Sequence, residues 1–417
     1  MVVGTSRRAL IGLLSAQACT LSANRVLTVA VPWLLLTATD DPDRAAFHAG
    51  LVVFCQAAPY ALTQWLAGPL LDRVGPRRIC IAGDLASAAL LAVLATVPSP
   101  PVWLIALILA GVGAADGPAS AGKRLLVPVA ATAAGQPVAR GAGLAIALER
   151  AATAFGPALA GWLVAFLGGA SALWVAGALL GLAAPIATLT FRNPPRDAAR
   201  HGYATRLRTG AAYLRRHRSL RALTSMFVLT NLLDQALISV LLPVWARSGG
   251  HSAAVVGLAL SAAGAASVCS ALGTAWLGTR LPRRATYLAA VIISGPTRII
   301  VLALGWPAEA VIAVWVIAGL GSGVFNPLLE TVQIEMTPAE LRGRVLTLIS
   351  ALAWVGIPVG GLLGAAMLTS VGLPATLWLC GAAYLAAVLH PGRQVAWEAP
   401  GAARHTVRTE RTPAVIT

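Results

Sequence analysis

Ionisable side chains inside long apolar runs are where this sequence can do chemistry. Asp234 and Asn231 stand three residues apart, about one helical turn, and therefore share a face. A desolvated carboxyl there suits a group that carries protons; the alternative is a structural pair with a neighbouring Arg. Asn24 and Arg25 hold the matching depth in the first run, where a charged guanidinium needs an acid or an anionic group. Arg298, two residues after Pro296, makes the same demand. Glu149 and Arg150 lie inside the fifth run and, being adjacent, face different partners. Asp84, Asp116 and Glu330 sit nearer the ends of their runs, where gating salt bridges are expected rather than a substrate site.

Other chemistry has little support. Gly117-Pro-Ala-Ser-Ala-Gly122-Lys123-Arg124 nearly spells a phosphate-binding loop, but the hydroxyl that would hold Mg²⁺ is replaced by Arg124 and no strand precedes it. Gly319, Gly321 and Gly323 mimic a dinucleotide fingerprint inside an apolar run, where Gly serves close helix packing. No His pair has zinc-ligand spacing and no Ser-centred nucleophile elbow occurs, so neither an enzyme nor a metal centre is expected. Cys19, Cys55, Cys80, Cys269 and Cys380 read as small hydrophobes in helices.

The elements that must position these groups are membrane-spanning helices. The chain is 58% hydrophobic and 11% charged, against about a quarter charged for a soluble domain, and its mean hydropathy is +0.77. Each span needs about 20 apolar residues. The runs give spans near 10–38, 49–67, 79–97, 102–126, 142–167, 172–191, 221–246, 253–277, 285–305, 309–334, 345–369 and 375–390. The fold class is therefore an all-α polytopic membrane protein of about twelve helices.

The net charge of +16 falls mostly in alternate gaps, which argues against nucleic-acid binding and for the positive-inside pattern. Arg7, Arg8, Arg73, Arg77, Arg78, Lys123, Arg124, Arg140, Arg342 and Arg344 all fall on one side, with the 192–221 stretch; Arg44 and Arg247 fall on the other. That places both termini in the cytoplasm. The chain divides into a six-helix bundle over 1–191, a basic linker over 192–220, a second bundle over 221–390 and a cytoplasmic tail over 391–417 expected to be disordered. Part of the linker, Arg206 to Arg218, can form a basic helix on anionic lipid or remain a solvated connection. Pro32-Trp33, Pro76-Arg77-Arg78 and Gly117-Pro118 recur in order as Pro243-Val244-Trp245, Pro282-Arg283-Arg284 and Asn326-Pro327. The offset is roughly 210 residues each time, which argues for a duplicated six-helix unit with parallel halves.

Between the second and third spans stands Gly68-Pro69-Leu70-Leu71-Asp72-Arg73-Val74-Gly75-Pro76-Arg77-Arg78, expected as a tight polar hairpin at the membrane surface. Its Gly68, Leu70, Asp72, Arg73, Gly75, Arg77 and Arg78 resemble the signature loop of the major facilitator superfamily, with Pro76 where a basic residue is usual. In the fifth run, Gly143, Gly156, Pro157 and Gly161 resemble the antiporter motif of drug exporters, with two of its glycines replaced by Ala. Ala30-Val-Pro-Trp33 and Pro338-Ala-Glu-Leu-Arg342-Gly343-Arg344 are similar to the branch that includes macrolide and enterobactin exporters.

That resemblance implies a monomeric secondary transporter of the bacterial inner membrane. It would export a drug-like compound or siderophore by alternating access, with no cofactor and a proton gradient as energy source. Import, lipid movement and, more distantly, a non-transporting sensor are the alternatives. Asp72 is expected to face the N-terminal end of span eleven near Val345, where a helix dipole favours an anion, and so to latch the halves together.

Overall fold

A computed structural model describes residues 3–37, 41–190, 203–277, 283–338 and 341–394. The first half holds α1 (Val3–Thr37), α2 (Pro42–Val74), α3 (Pro76–Thr96), α4 (Val102–Ala133), α5 (Val138–Leu167) and α6 (Gly169–Thr190). An amphipathic helix, α7 (Tyr203–Arg216), follows. The second half begins with α8 (Arg218–Ala236), a π-helical turn (Leu237–Leu241) and α9 (Leu242–Ser248) in one rod. It continues with α10 (Ala253–Leu277), α11 (Arg283–Ser294), α12 (Pro296–Ala303), α13 (Ala308–Glu335) and α14 (Arg342–Gln394). Among the described residues there is no strand. Lipid offers the backbone no hydrogen bonds, so an apolar run of this length satisfies its own as helix.

Among the described residues, 11 helices are long and apolar enough to cross a membrane. The last apolar stretch, Leu348–His390, has 43 residues, about 65 Å of helix and twice the roughly 30 Å of a hydrocarbon core. Gly372, at φ 79° and ψ 169°, breaks it. A side chain rarely adopts that φ, so Gly divides the stretch into two spans and brings the number to twelve.

The hairpin expected over Gly68–Arg78 is not a loop. α2 runs on through Gly68, Pro69 and Asp72 to Val74, and α3 starts at Pro76, so Gly75 alone makes the break. Gly75 has φ 94°, its N–H bonds the Leu71 carbonyl at 3.0 Å, and its own carbonyl accepts from Ile79 N–H at 3.3 Å. Pro76 loses nothing at the first helical position because its missing N–H has no partner there. Gly68 has no turn to make and faces open space.

Prolines shape two of the spans that carry charge. Pro243 cannot donate to its ladder, and the turn before it widens to π, with Leu242 N–H reaching Leu237 O. Gly295-Pro296 interrupts the ninth span between α11 and α12. A Cβ on Gly295 would collide with the Tyr384 ring, so only Gly lets that ring close over the break and places Arg298 in the first turn beyond it.

The linker helix α7 is docked rather than free. The Tyr213 hydroxyl donates to the Met336 carbonyl at 2.9 Å, and Leu214 is buried with Leu220, Val345 and Ile349. The rest of the expected linker, residues 192–202, and the tail beyond 394 lie outside the described residues.

The two halves meet mainly at the end away from the Arg-rich connections. There Leu36, Ala45 and Ala46 share one buried cluster with Leu241, Trp245 and Leu368. α5 and α10 approach backbone to backbone: a Cβ on Gly161 would lie 2.6 Å from the Ala253 carbonyl oxygen, and one on Gly257 would strike that of Pro157. Pro157 interrupts the ladder of α5, and Ser261 Oγ on α10 accepts the Ala158 N–H at 2.6 Å. Towards the Arg-rich end Leu62, Leu66 and Leu70 of α2 and Val355 of α14 are exposed.

The seam gives a first expected result. Leucine at Gly257 overpacks a contact with no room for one methyl, at a cost of about 1–3 kcal/mol. In a cysteine-free background, Gly257→Leu is expected to raise maleimide labelling of a cysteine placed at Ala253, which is 0% exposed here. Unchanged labelling would show that the seam yields without opening.

Candidate functional site

A cavity of about 280 Å³ lies between the halves. α1 contributes Gln17, Thr20, Asn24, Arg25 and Thr28; α2 adds Gln56 and Tyr60; α4 adds Asp116, Ser120, Lys123 and Arg124; α5 adds Glu149. The second half gives Gln235, Ser239 and Trp354. The charges on the wall thus come from the first half. Helix α4 reaches α2 closely enough to present them because Gly113 and Gly117 pack directly on the Gln56 and Tyr60 carbonyls.

Asp116 anchors one side. Its Oδ2 accepts from Asn24 Nδ2 at 2.9 Å and its Oδ1 from Ser120 Oγ at 3.1 Å. Arg25 Nη2 donates to Thr153 Oγ1 of α5 at 2.8 Å. Gly156 makes room for that arm, since a Cβ there would come within 2.6 Å of Arg25 Cγ. Glu149 lines the same cavity, whereas Arg150 points into a separate cleft between α5, α10 and α13. Tyr60 and Trp354 meet from opposite halves with ring centroids 5.8 Å apart.

Lys123 departs from expectation. Counted from the sequence among surface charges, it is only 2% exposed. Its ammonium donates to Asp84 Oδ1 at 2.7 Å and to Thr20 Oγ1. Asp84 is 1% exposed, with Oδ2 unpartnered among the described residues. Asp84 and Asp116, expected at a gate between halves, are therefore both bonded inside the first half, because glycines draw α3 and α4 together. A Cβ on Gly83 would lie 2.6 Å from Ala115 O. The signal available in the sequence was that Lys123 is the single lysine in a chain otherwise basic through Arg.

The second charged cluster lies within the second half. Arg298 Nη2 donates to Asp234 Oδ1 at 2.7 Å, and the Tyr384 hydroxyl faces Asp234 Oδ2 at 3.4 Å. The Arg298 guanidinium also sits 5.6 Å from the centroid of buried Trp315, within cation–π range. Asp234 thus has the Arg partner that was the alternative reading of it, and it lies beside the central cavity rather than on its wall. Asn231 makes no hydrogen bond among the described residues. Tyr384 and Trp315 had no distinguishing mark in the sequence.

The signature stretch faces outward. Asp72, Arg73 and Arg78 are exposed, and Asp72 makes no hydrogen bond or ion pair among the described residues. Arg77 donates to the Thr188 carbonyl at 2.5 Å in the last turn of α6, where a cation complements the helix dipole. Glu330 is exposed, Arg342 Nε bonds the Thr337 carbonyl at 3.1 Å, and the Arg344 side chain lies outside the described residues. Of the antiporter-like motif, Gly156, Pro157 and Gly161 pack closely, while a Cβ on Gly143 would meet nothing within 4 Å.

The all-helical fold of long apolar spans agrees with a direct comparison of sequences. The profile of the Major Facilitator Superfamily matches residues 13–233 and 224–411. The chain belongs to the Major Facilitator Superfamily. Among curated relatives, the multidrug efflux pump Tap of Mycobacterium tuberculosis is 29% identical over 366 residues, covering 84% of this chain and 85% of the pump. The Tap pump of Mycolicibacterium fortuitum is 28% identical over 386 residues, covering 90% and 93%. The nucleoside transporter NupG superposes with a TM-score of 0.75 at 13% identity, over 92% of this chain and 98% of its own. A bacterial homologue of the lysosomal transporter Spinster gives 0.68 at 15% identity, over 98% and 99%. These two structures support the superfamily fold, and the site is argued from its own residues.

Proposed function

We propose that this superfamily member is a multidrug exporter of the bacterial inner membrane, driven by proton antiport, with the Arg-rich end in the cytoplasm. The observation that carries the reading is the cavity itself. It is bounded at one end by an apolar seam and lined by both signs of charge beside Tyr60 and Trp354, and Leu62, Leu66 and Leu70 of α2 stand exposed towards the Arg-rich end. In that orientation the structure is the state that admits substrate from the cytoplasm. Kinship with Tap pumps supports drug-like cargo, and a mixed wall of amide, hydroxyl, charged and aromatic groups fits varied ligands better than one shape.

Alternating access then consists of the halves rocking until the Arg-rich ends meet. Asp72 is the latch for that second state: exposed here, it would dock on the N-terminal end of α14 when the cytoplasmic side shuts. Arg25, Asp116 and Glu149 are the substrate or proton groups on the wall.

The test is accumulation of a panel of antibiotics and cationic dyes in cells with and without the protein. Expression is expected to lower accumulation of some members, and an uncoupler to reverse the effect. Asp116→Asn removes a charged acceptor of two hydrogen bonds, worth about 1.5–3 kcal/mol, so efflux should fall about tenfold or more at equal expression. Equal accumulation with and without the protein across the panel would overturn the exporter reading.

A further inference from the structure

The cleft that receives Arg150 is separate from the central cavity and has no place in the transport cycle as described. It has a volume of about 530 Å³ and opens where the α5–α10 seam ends. It is lined by Ile146, Ala147 and Phe155 of α5, Val268 and Leu272 of α10, and Asn326 of α13. Phe155 and Leu272 are 70% and 69% exposed. In a membrane-spanning segment, apolar side chains this open to the outside are suited to contact with lipid tails. Arg150 is the single charged residue on the lining. It is exposed and makes no hydrogen bond or ion pair among the described residues.

Depth matters for what can satisfy it. The span runs Arg140–Leu167, so Arg150 stands about 15 Å along the helix from the Arg-rich end. A span of that length exceeds the roughly 30 Å hydrocarbon core by about 12 Å, shared between its ends. The Arg150 backbone therefore lies about two turns inside the hydrocarbon boundary, and its long arm can reach back to phosphate level. A guanidinium left unpaired there is costly, and a phosphodiester is the anion a bilayer supplies at that level.

We propose that the cleft binds an anionic phospholipid, its phosphate on the Arg150 guanidinium and one acyl chain in the trough between α5 and α10. In the alternating-access cycle proposed above, the cleft between α5, α10 and α13 narrows when the Arg-rich ends meet. Binding therefore favours this conformation over the opposite one by the differential affinity of the two. The binding claim rests on the fold alone and stands whether or not the chain exports drugs.

Native mass spectrometry of the purified full-length protein, released from detergent with phosphatidylglycerol or phosphatidylcholine added, tests it. Wild type is expected to retain phosphatidylglycerol about fivefold better, as for one basic residue near an anionic headgroup. Arg150→Gln should abolish that preference and Arg150→Lys should keep part of it. Ala147→Trp, which fills the trough and leaves the charge, should reduce retention of both lipids. Equal retention of the two lipids by wild type, or an undiminished preference in Arg150→Gln, would overturn the proposal. So would unchanged retention in Ala147→Trp.

Discussion

Lys123→Met is expected to destabilise the protein by about 3–5 kcal/mol and to abolish its activity, because it leaves Asp84 charged and buried with no cation. The effect is large for reasons visible in the geometry. Asp84 is 1% exposed, one of its oxygens is already unpartnered, and Thr20 adds only a 3.4 Å contact. Gly83, which brings α3 onto α4, permits no retreat to water. The matching single change, Asp84→Asn, strands the ammonium in the same place. The double variant Asp84→Asn with Lys123→Met removes both charges and should recover most of the lost stability, as neutral replacement of buried pairs often does. Thermal unfolding in detergent, followed by size-exclusion profile, reads all three. A double variant no more stable than the singles would show that volume, and not charge, dominates the site.

Much of the fold was legible because lipid imposes it. Apolar length gives the spans, and Arg asymmetry divides the connections into two sets, one basic and one not. What was not legible follows from helix packing. Asp84 and Lys123 are thirty-nine residues apart, and nothing in either local sequence says that α3 and α4 meet at that register. Lys123 lies beside Arg124 and reads as one more surface charge; only the helical phase of α4, fixed by Gly113 and Gly117 against α2, turns it inward. Polar residues near a span's end are ambiguous for the same reason. The signature stretch misleads differently, since Gly and Pro at these positions favour a hairpin. Pro69 is tolerated within α2 and Gly68 faces empty space, so neither residue interrupts it. Tyr384 and Trp354 carry no sequence mark at all, because an aromatic in a span is ordinary until a partner is opposite it.

The second large effect concerns Asp234. Its carboxylate is held by Arg298 at 2.7 Å across α8 and α12, beside the π turn of one span and the Gly295-Pro296 break of the next. Both are places where the helix ladder is already weakened and bending is cheap. The Asp234 side chain is 29% exposed against 15% for Arg298. On the proton-antiport reading proposed above, a proton and Arg298 compete for one carboxylate: protonation would break the ion pair that ties α8 to α12 and free the two weakened spans to move. Asp234→Asn fixes the neutral form. Gradient-driven efflux should then fall to background while downhill substrate exchange and folding persist, because the coupling step is removed and the path is not. Asp234→Glu, which keeps the charge, should retain part of the coupled activity. In proteoliposomes under an imposed pH gradient, wild-type transport by Asp234→Asn would reduce the pair to a structural brace. Loss of exchange together with coupled efflux would place Asp234 in substrate passage instead.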